Sequence, residues 1–168
     1  MKKIELRDVS EDFDAVINIQ NMMSDEEGLE MYRNKWQRTQ LARYIYEVRR
    51  NNQVVGFAYL INDFQDETGN FLGLDIGLKN KEIGKGTGTE ILKQIINGDY
   101  KEFILGETKK DNERANKIIN KTGGILVAEN KNINIYLLQG NRLEEFIAAN
   151  GLEVITQRFS DPKILIKK

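Results

Sequence analysis

The chain has 168 residues, 40% of them hydrophobic and 30% charged, and its 25 basic and 26 acidic side chains nearly cancel. That length suits one core, and the balanced charge excludes a global field drawing the molecule onto nucleic acid or an anionic membrane. Cysteine and histidine are both absent, which excludes disulfides, thiolate nucleophiles, cysteine-based zinc sites and imidazole bases; proton transfer falls to carboxylates, Tyr, Lys or water, and no metal is expected.

Residues 1–7 alternate charged and apolar side chains with no hydrophobic run behind them. They read as a strand, in which Ile4, Leu6 and Val9 are set among polar residues, and not as a secretory signal. The longest apolar stretch, around 54–61, is too short to span a bilayer, so a cytoplasmic location without a membrane partner is the expectation. Ser10 offers a helix cap with Glu11 and Asp12 in the first turn, and Phe13, Val16, Ile17 and Met23 share one helical face. A second helix over 28–40 carries Leu29, Tyr32 and Trp36 at spacings of three and four.

Segments 43–50 and 53–63 are rich in β-branched and aromatic residues, and the Asn51-Asn52 pair between them tolerates the positive φ of a tight hairpin turn. A polar loop with Asp63, Asp66, Glu67 and Gly69 leads to a third antiparallel strand over 71–78. After a glycine-rich loop, 90–97 reads as an amphipathic helix ended by Gly98, and 101–107 as a buried strand. Residues 112–121 form a helix stopped by Gly123-Gly124, and 125–128 with 133–138 a second hairpin. The tail gives a helix over 142–150 and strands over 152–158 and 163–167 around Pro162.

Gly84, Gly86 and Gly88 alternate between a strand and an amphipathic helix, a pattern that lets consecutive backbone N–H groups converge on an anion at a helix N-terminus. A nucleoside-triphosphate P-loop needs glycine at 79 and Ser or Thr after Gly84-Lys85, where the chain has Lys79 and Gly86. A dinucleotide-binding fold is closer, since Glu107 ends the next strand where a ribose-binding acid belongs; three antiparallel strands precede the loop, and position 89 is Thr.

Three pieces taken together identify a resemblance. They are Val55-Gly56-Phe57-Ala58; Leu74-Asp75-Ile76-Gly77-Leu78 running into Ile83-Gly84-Lys85-Gly86-Thr87-Gly88-Thr89-Glu90; and Asn112-Glu113-Arg114-Ala115 followed by Asn120-Lys121-Thr122-Gly123. In order and spacing the chain resembles the GNAT superfamily of acyl-coenzyme A-dependent N-acyltransferases across residues 4–138. The resemblance implies an α/β (α+β) fold, a central mixed and mostly antiparallel sheet flanked by helices. Residues 1–138 are then the core, and 139–168 an extension packed on the same domain that extends the sheet, pairs across a homodimer or caps the acceptor cleft.

It further implies acetyl-CoA as co-substrate. The backbone amides of Gly84, Lys85, Gly86, Thr87, Gly88 and Thr89 would hold the pyrophosphate; Ile83 stands where the family has Gln or Arg. Ile76, Gly77 and Leu78 would pair with the pantetheine amides where their strand splays from its neighbour at Gly77. Lys79, Lys81, Lys85, Lys109 and Lys110 supply local positive charge. Asn112 matches the family's asparagine near the thioester, and equally suits a helix cap.

An amine attacks a thioester only when neutral, so the site needs a base. Asp75, flanked by Leu74 and Leu78, is the first choice and Glu107 the second, either acting directly or through water. Many relatives carry a Tyr acid where this chain has Ile119; a thiol, with a pKa of about 8.5, leaves tolerably without one. The implied function is acetyl transfer to a primary amine, with a non-catalytic acyl-CoA-binding protein as the alternative and an NAD-binding protein a more distant one. Asp25, Glu26, Glu27, Glu30, Asp63, Asp66 and Glu67 border the acceptor region by resemblance and suggest a cationic amine such as a polyamine, aminoglycoside, lysine or protein N-terminus, with Tyr32 and Trp36 as walls.

Overall fold

The computed structural model describes residues 3–25, 41–62, 64 and 66–166. The helix expected over 28–40, with Tyr32 and Trp36, lies outside them, as do Glu26, Glu27, Glu30 and Asp63. The chain divides into two compact units, Met1–Ile61 with Asp75–Ile95, and Asn62–Leu74 with Ile96–Lys168. Among the described residues no helix is long and apolar enough to cross a membrane.

The first unit begins with β1 (Ile4–Asp8), α1 (Phe13–Asp25), β2 (Ala42–Arg50) and β3 (Gln53–Ile61). β1 pairs antiparallel with β2, from Ile4↔Arg50 to Asp8↔Tyr46, and β2 pairs antiparallel with β3. Asn51 and Asn52 join that hairpin at φ 53° and 63°, the doubly left-handed turn whose twist matches the flanking strands. A register shift between Val48↔Gly56 and Arg49↔Val54 marks a bulge in β3. The end of β4 (Phe71–Leu78) runs beside it: Lys79 N–H donates to Val55 O at 3.0 Å, and a Cβ on Gly56 would stand 2.3 Å from the Gly77 carbonyl oxygen. Only glycine fits there.

Two expectations for α1 need correction. Its cap is Asp12, whose carboxylate accepts from Ala15 N–H at 3.1 Å; Ser10 instead donates its hydroxyl to Asp8 at 2.6 Å and accepts from Ile45 N–H at 3.0 Å. With the helix starting two residues later than a Ser10 cap implies, Phe13 is 76% exposed. The buried stripe is Ala15, Ile19, Met22 and Met23 against Ile45, Phe57, Tyr59 and Ile61.

In the second unit the first residues of β4 pair in parallel with β5 (Phe103–Lys109), from Phe71↔Phe103 to Gly73↔Leu105. β5 pairs antiparallel with β7 (Ile133–Leu137), β7 with β6 (Ile125–Glu129), and β6 with the short β8 (Lys163–Ile164). β4 therefore supplies residues to both units, and its neighbours are β3 and β5. α2 (Thr87–Ile96) follows β4, and α3 (Glu113–Lys121) links β5 to β6.

The tail departs most from its sequence reading. α4 (Leu143–Ala148) stands as expected, but residues 152–158, expected as a strand, belong to a helix, α5 (Gly151–Arg158), and among the described residues the last strand holds Lys163 and Ile164. The β-branched run Val154-Ile155-Thr156 suggests a strand; burial of Leu152 and Ile155 on one helical face, with Phe159 just past the helix end, overrides that propensity. Phe146, fully buried, meets Phe71 and Phe103 edge-on at centroid distances of 5.9 and 5.7 Å. The Arg142 guanidinium lies 4.2 Å over the Phe103 ring and donates to the carbonyls of Tyr100, Lys101 and Glu102.

Candidate functional site

The loop between β4 and α2 is built by glycines in a conformation other residues resist. Gly84 and Gly86 have φ of 90° and 78°, within the left-handed region that costs an ordinary L-residue. They turn the chain out of a 3-10 turn over Asn80–Glu82 and into α2, which begins at Thr87, inside the glycine run and three residues earlier than its apolar periodicity indicates. Glu90 N–H bonds Gly86 O at 3.1 Å as the helix opens, so the N–H groups of Thr87, Gly88 and Thr89 have no acceptor within the helix and carry its positive dipole end. Ile83 is 51% exposed beside them.

Beneath this loop lies a buried polar network that sequence reasoning missed. Glu82, 3% exposed, accepts from Arg50 Nε at 3.0 Å and from the Thr87 hydroxyl at 3.2 Å. Thr87 Oγ1 in turn accepts from Arg50 Nη2 at 2.9 Å, closing a ring of three side chains, and Lys85 Nζ stands 3.7 Å from the other Glu82 oxygen. Burial pushes the Glu82 carboxyl up, but the hydrogen bonds from Arg50 and Thr87 and the charges of Arg50 and Lys85 outweigh it and hold the group below its ordinary value of 4.5. The Thr87 side chain is thus committed inward, to Glu82 and Arg50. Of the other lysines, Lys79 lines a hollow of about 300 Å³ with Asn18, Asn21, Met22 and Glu47, and Lys110 pairs with Glu129 at 3.0 Å.

In the first unit Asp75, Ile76 and Leu78 are half-buried on β4 and Gly77 is buried against Gly56. The ladder of β4 with β5 ends at Gly73↔Leu105, so its parting comes four residues before Gly77, the position expected. In the second unit Glu107 is exposed on β5, opposite Ile135 of β7. Asn112 is the cap of α3: its Oδ1 accepts from Ala115 N–H at 3.1 Å. Ile119, where the family resemblance implies a Tyr, is 6% exposed, and its Cγ2 would meet a Cβ on Gly124 at 2.5 Å.

A second hub fixes α3. Asn116 Oδ1 accepts from Thr108 Oγ1 at 2.5 Å, Tyr136 Oη at 2.8 Å and Asn134 Nδ2 at 3.0 Å, while its Nδ2 donates to the carbonyls of Lys109 and Asn112. Asp66, expected at the acceptor border, organises its own turn: it accepts from the Thr68 hydroxyl and from Asn70 N–H at 2.9 Å. Burial pushes its carboxyl up, yet those bonds and the Thr68 and Gly69 N–H groups hold it below its ordinary 3.8.

No family model matches the sequence, and no curated protein matches it. Solved structures do. The N-acetyltransferase PseH of Campylobacter jejuni, determined with acetyl coenzyme A, superposes with a TM-score of 0.53 at 16% identity, covering 79% of this chain and 96% of that one. A GNAT-family acetyltransferase from Bacillus cereus gives 0.58 at 19% identity over 81% of this chain and 95% of that one. The fold is that of the GNAT acetyltransferases. A spermidine N-acetyltransferase SpeG chimera of Vibrio cholerae and human sequence shares the GNAT fold at a TM-score of 0.59 and 16% identity, over 84% of this chain and 99% of that one. At these identities the likeness is one of architecture: mixed α/β, mostly antiparallel strands, helices between them.

Proposed function

We propose that this chain is an N-acetyltransferase that takes an acetyl group from acetyl-CoA and passes it to a primary amine. The observation that carries the reading is the loop Gly84–Thr89, where two left-handed glycines aim the first-turn N–H groups of α2 outward at the positive end of a helix. Such a donor set fits a diphosphate, and Thr87, its hydroxyl engaged elsewhere, contributes through its main chain. Ile76, Gly77 and Leu78 would lie along the pantetheine. The co-substrate supplies an activated acetyl thioester.

The chain's own task is the proton. An ammonium acceptor must lose one before its nitrogen attacks, and Asp75 is the preferred base: it is half-buried on β4, whereas Glu107 is exposed. The nitrogen–carbon bond then forms as the carbon–sulfur bond breaks, the nitrogen gives up a second proton to solvent as it becomes an amide, and coenzyme A departs as the thiol. With a buried Ile119 in place of a Tyr acid, the sulfur takes its proton from solvent. The acceptor is a cationic amine such as a polyamine, aminoglycoside, lysine or protein N-terminus, which suits the run of acidic residues Asp25, Glu26, Glu27 and Glu30 in the sequence; the spermidine N-acetyltransferase above is a protein of the same fold named for such an acceptor.

A thiol-release assay over an amine panel tests this. The intact chain should liberate coenzyme A only when an acceptor is present, and Asp75→Asn should slow the release by about 10²-fold or more, the usual weight of a positioned base. Uptake of acetyl-CoA without release under any acceptor would replace the enzyme by an acyl-CoA-binding protein. No uptake in calorimetry would end both readings.

A further inference from the structure

We infer that Glu82, Arg50 and Thr87 form a positioning device for the anion-binding loop, setting its shape from beneath through a closed ring of buried hydrogen bonds. The inference rests on the proposed diphosphate site, and it concerns residues that touch no ligand.

A carboxylate beside an anion site is at first sight misplaced. Glu82 lies two residues before Gly84 and five before the start of α2, where the field of its charge opposes diphosphate binding. What recommends it is geometry. The glycines that give the loop its left-handed turns also leave it without side-chain packing: a Cβ on Gly86 or Gly88 would meet nothing within 4 Å. The loop's shape must therefore be fixed from its two ends. Glu82 holds the entry and Thr87 the exit, each bonded to the other and both to Arg50 at the end of β2. Arg50 is paired with Ile4 of β1, so the anchor belongs to the sheet and not to the loop. Arg50 and Lys85 offset the charge of Glu82 and leave the site net positive.

Field and geometry predict opposite signs, which makes the idea testable. Calorimetric titration of the whole chain with coenzyme A, and with inorganic diphosphate as the minimal probe, is done well below each variant's melting temperature. Positioning predicts that Glu82→Ala weakens both ligands about tenfold, equivalent to 1.4 kcal/mol. Glu82→Gln, whose amide oxygen can still accept from Arg50 and Thr87, should stay within about threefold of the parent. Thr87→Ser should bind like the parent and Thr87→Val should follow Glu82→Ala, which decides the matter if Glu82→Ala does not fold. Tighter or unchanged binding in Glu82→Ala, or equal losses in Thr87→Ser and Thr87→Val, overturns the device while leaving the diphosphate site standing. A parent chain that binds neither probe overturns the site and the device together.

Discussion

Two helices of this chain are tied to their strands by polar hubs of opposite character. At α2 the hub is ionic: a carboxylate 3% exposed, bridged by a guanidinium and a hydroxyl. At α3 it is neutral: one amide, Asn116, accepts from two hydroxyls and a second amide and donates to two carbonyls. A neutral hub satisfies buried groups at modest desolvation cost, whereas an ionic one is costly to bury and fails abruptly when one partner is lost. The costlier arrangement sits under the loop assigned to an anion, where a fixed shape and a net positive charge both matter.

That contrast can be broken or sharpened by measurement. Glu82→Ala should have the largest effect on stability, about 3 kcal/mol in denaturant unfolding, because it removes the buried carboxylate that accepts from the Arg50 guanidinium and the Thr87 hydroxyl. Asn116→Ala should cost about 2 kcal/mol by leaving the Tyr136 hydroxyl without its acceptor; a loss equal to that of Glu82→Ala would erase the distinction between the hubs. Asn112→Ala, which removes only the exposed cap of α3, should cost about 1 kcal/mol.

The finest discrimination comes from pH. Glu82 is held below its ordinary 4.5, so its charge contributes fully above that value and the contribution fades as pH falls through the lower folded pKa. Burial raises the Tyr136 phenol above its ordinary 10.0 despite hydrogen bonds from Asn120 and Asn134, so the neutral hub is intact below pH 10 and weakens as pH rises past it. The stability gap between the parent and Glu82→Gln should therefore narrow below pH 4.5, while that between the parent and Tyr136→Phe should change only above pH 10. Parallel pH profiles for the two gaps would contradict the assignment of one hub as ionic and the other as neutral.

How legible each feature was follows from how local its cause is. The Asn51-Asn52 hairpin and the left-handed Gly84 and Gly86 announce themselves because the residue type and the backbone conformation sit at the same position. The Glu82 ring does not, because Arg50 and Glu82 are 32 positions apart and neither sits in a pattern; an acidic residue just ahead of an anion loop was the one available hint. Ser10 reads as the cap from its residue type, but Ile45 N–H, a partner 35 residues away, takes the Ser10 hydroxyl, and Asp12 caps the helix instead. α5 reads as a strand because propensity is local, whereas the packing of Leu152, Ile155 and Phe159 into the phenylalanine-rich core is not. The glycine turns of the loop were readable, and the buried ring beneath them was not.

The crossing at Gly56 has a consequence for how this protein can vary. Its missing Cβ leaves room for a rigid main-chain oxygen 2.3 Å from where a methyl would stand, and no rotamer change elsewhere can relieve that clash. In a saturation library this column should return glycine alone, while neighbouring Val55 and Phe57, whose burial tolerates other apolar shapes, should drift. A single invariant letter between two permissive ones would then be a fingerprint of backbone proximity, with no bearing on chemistry.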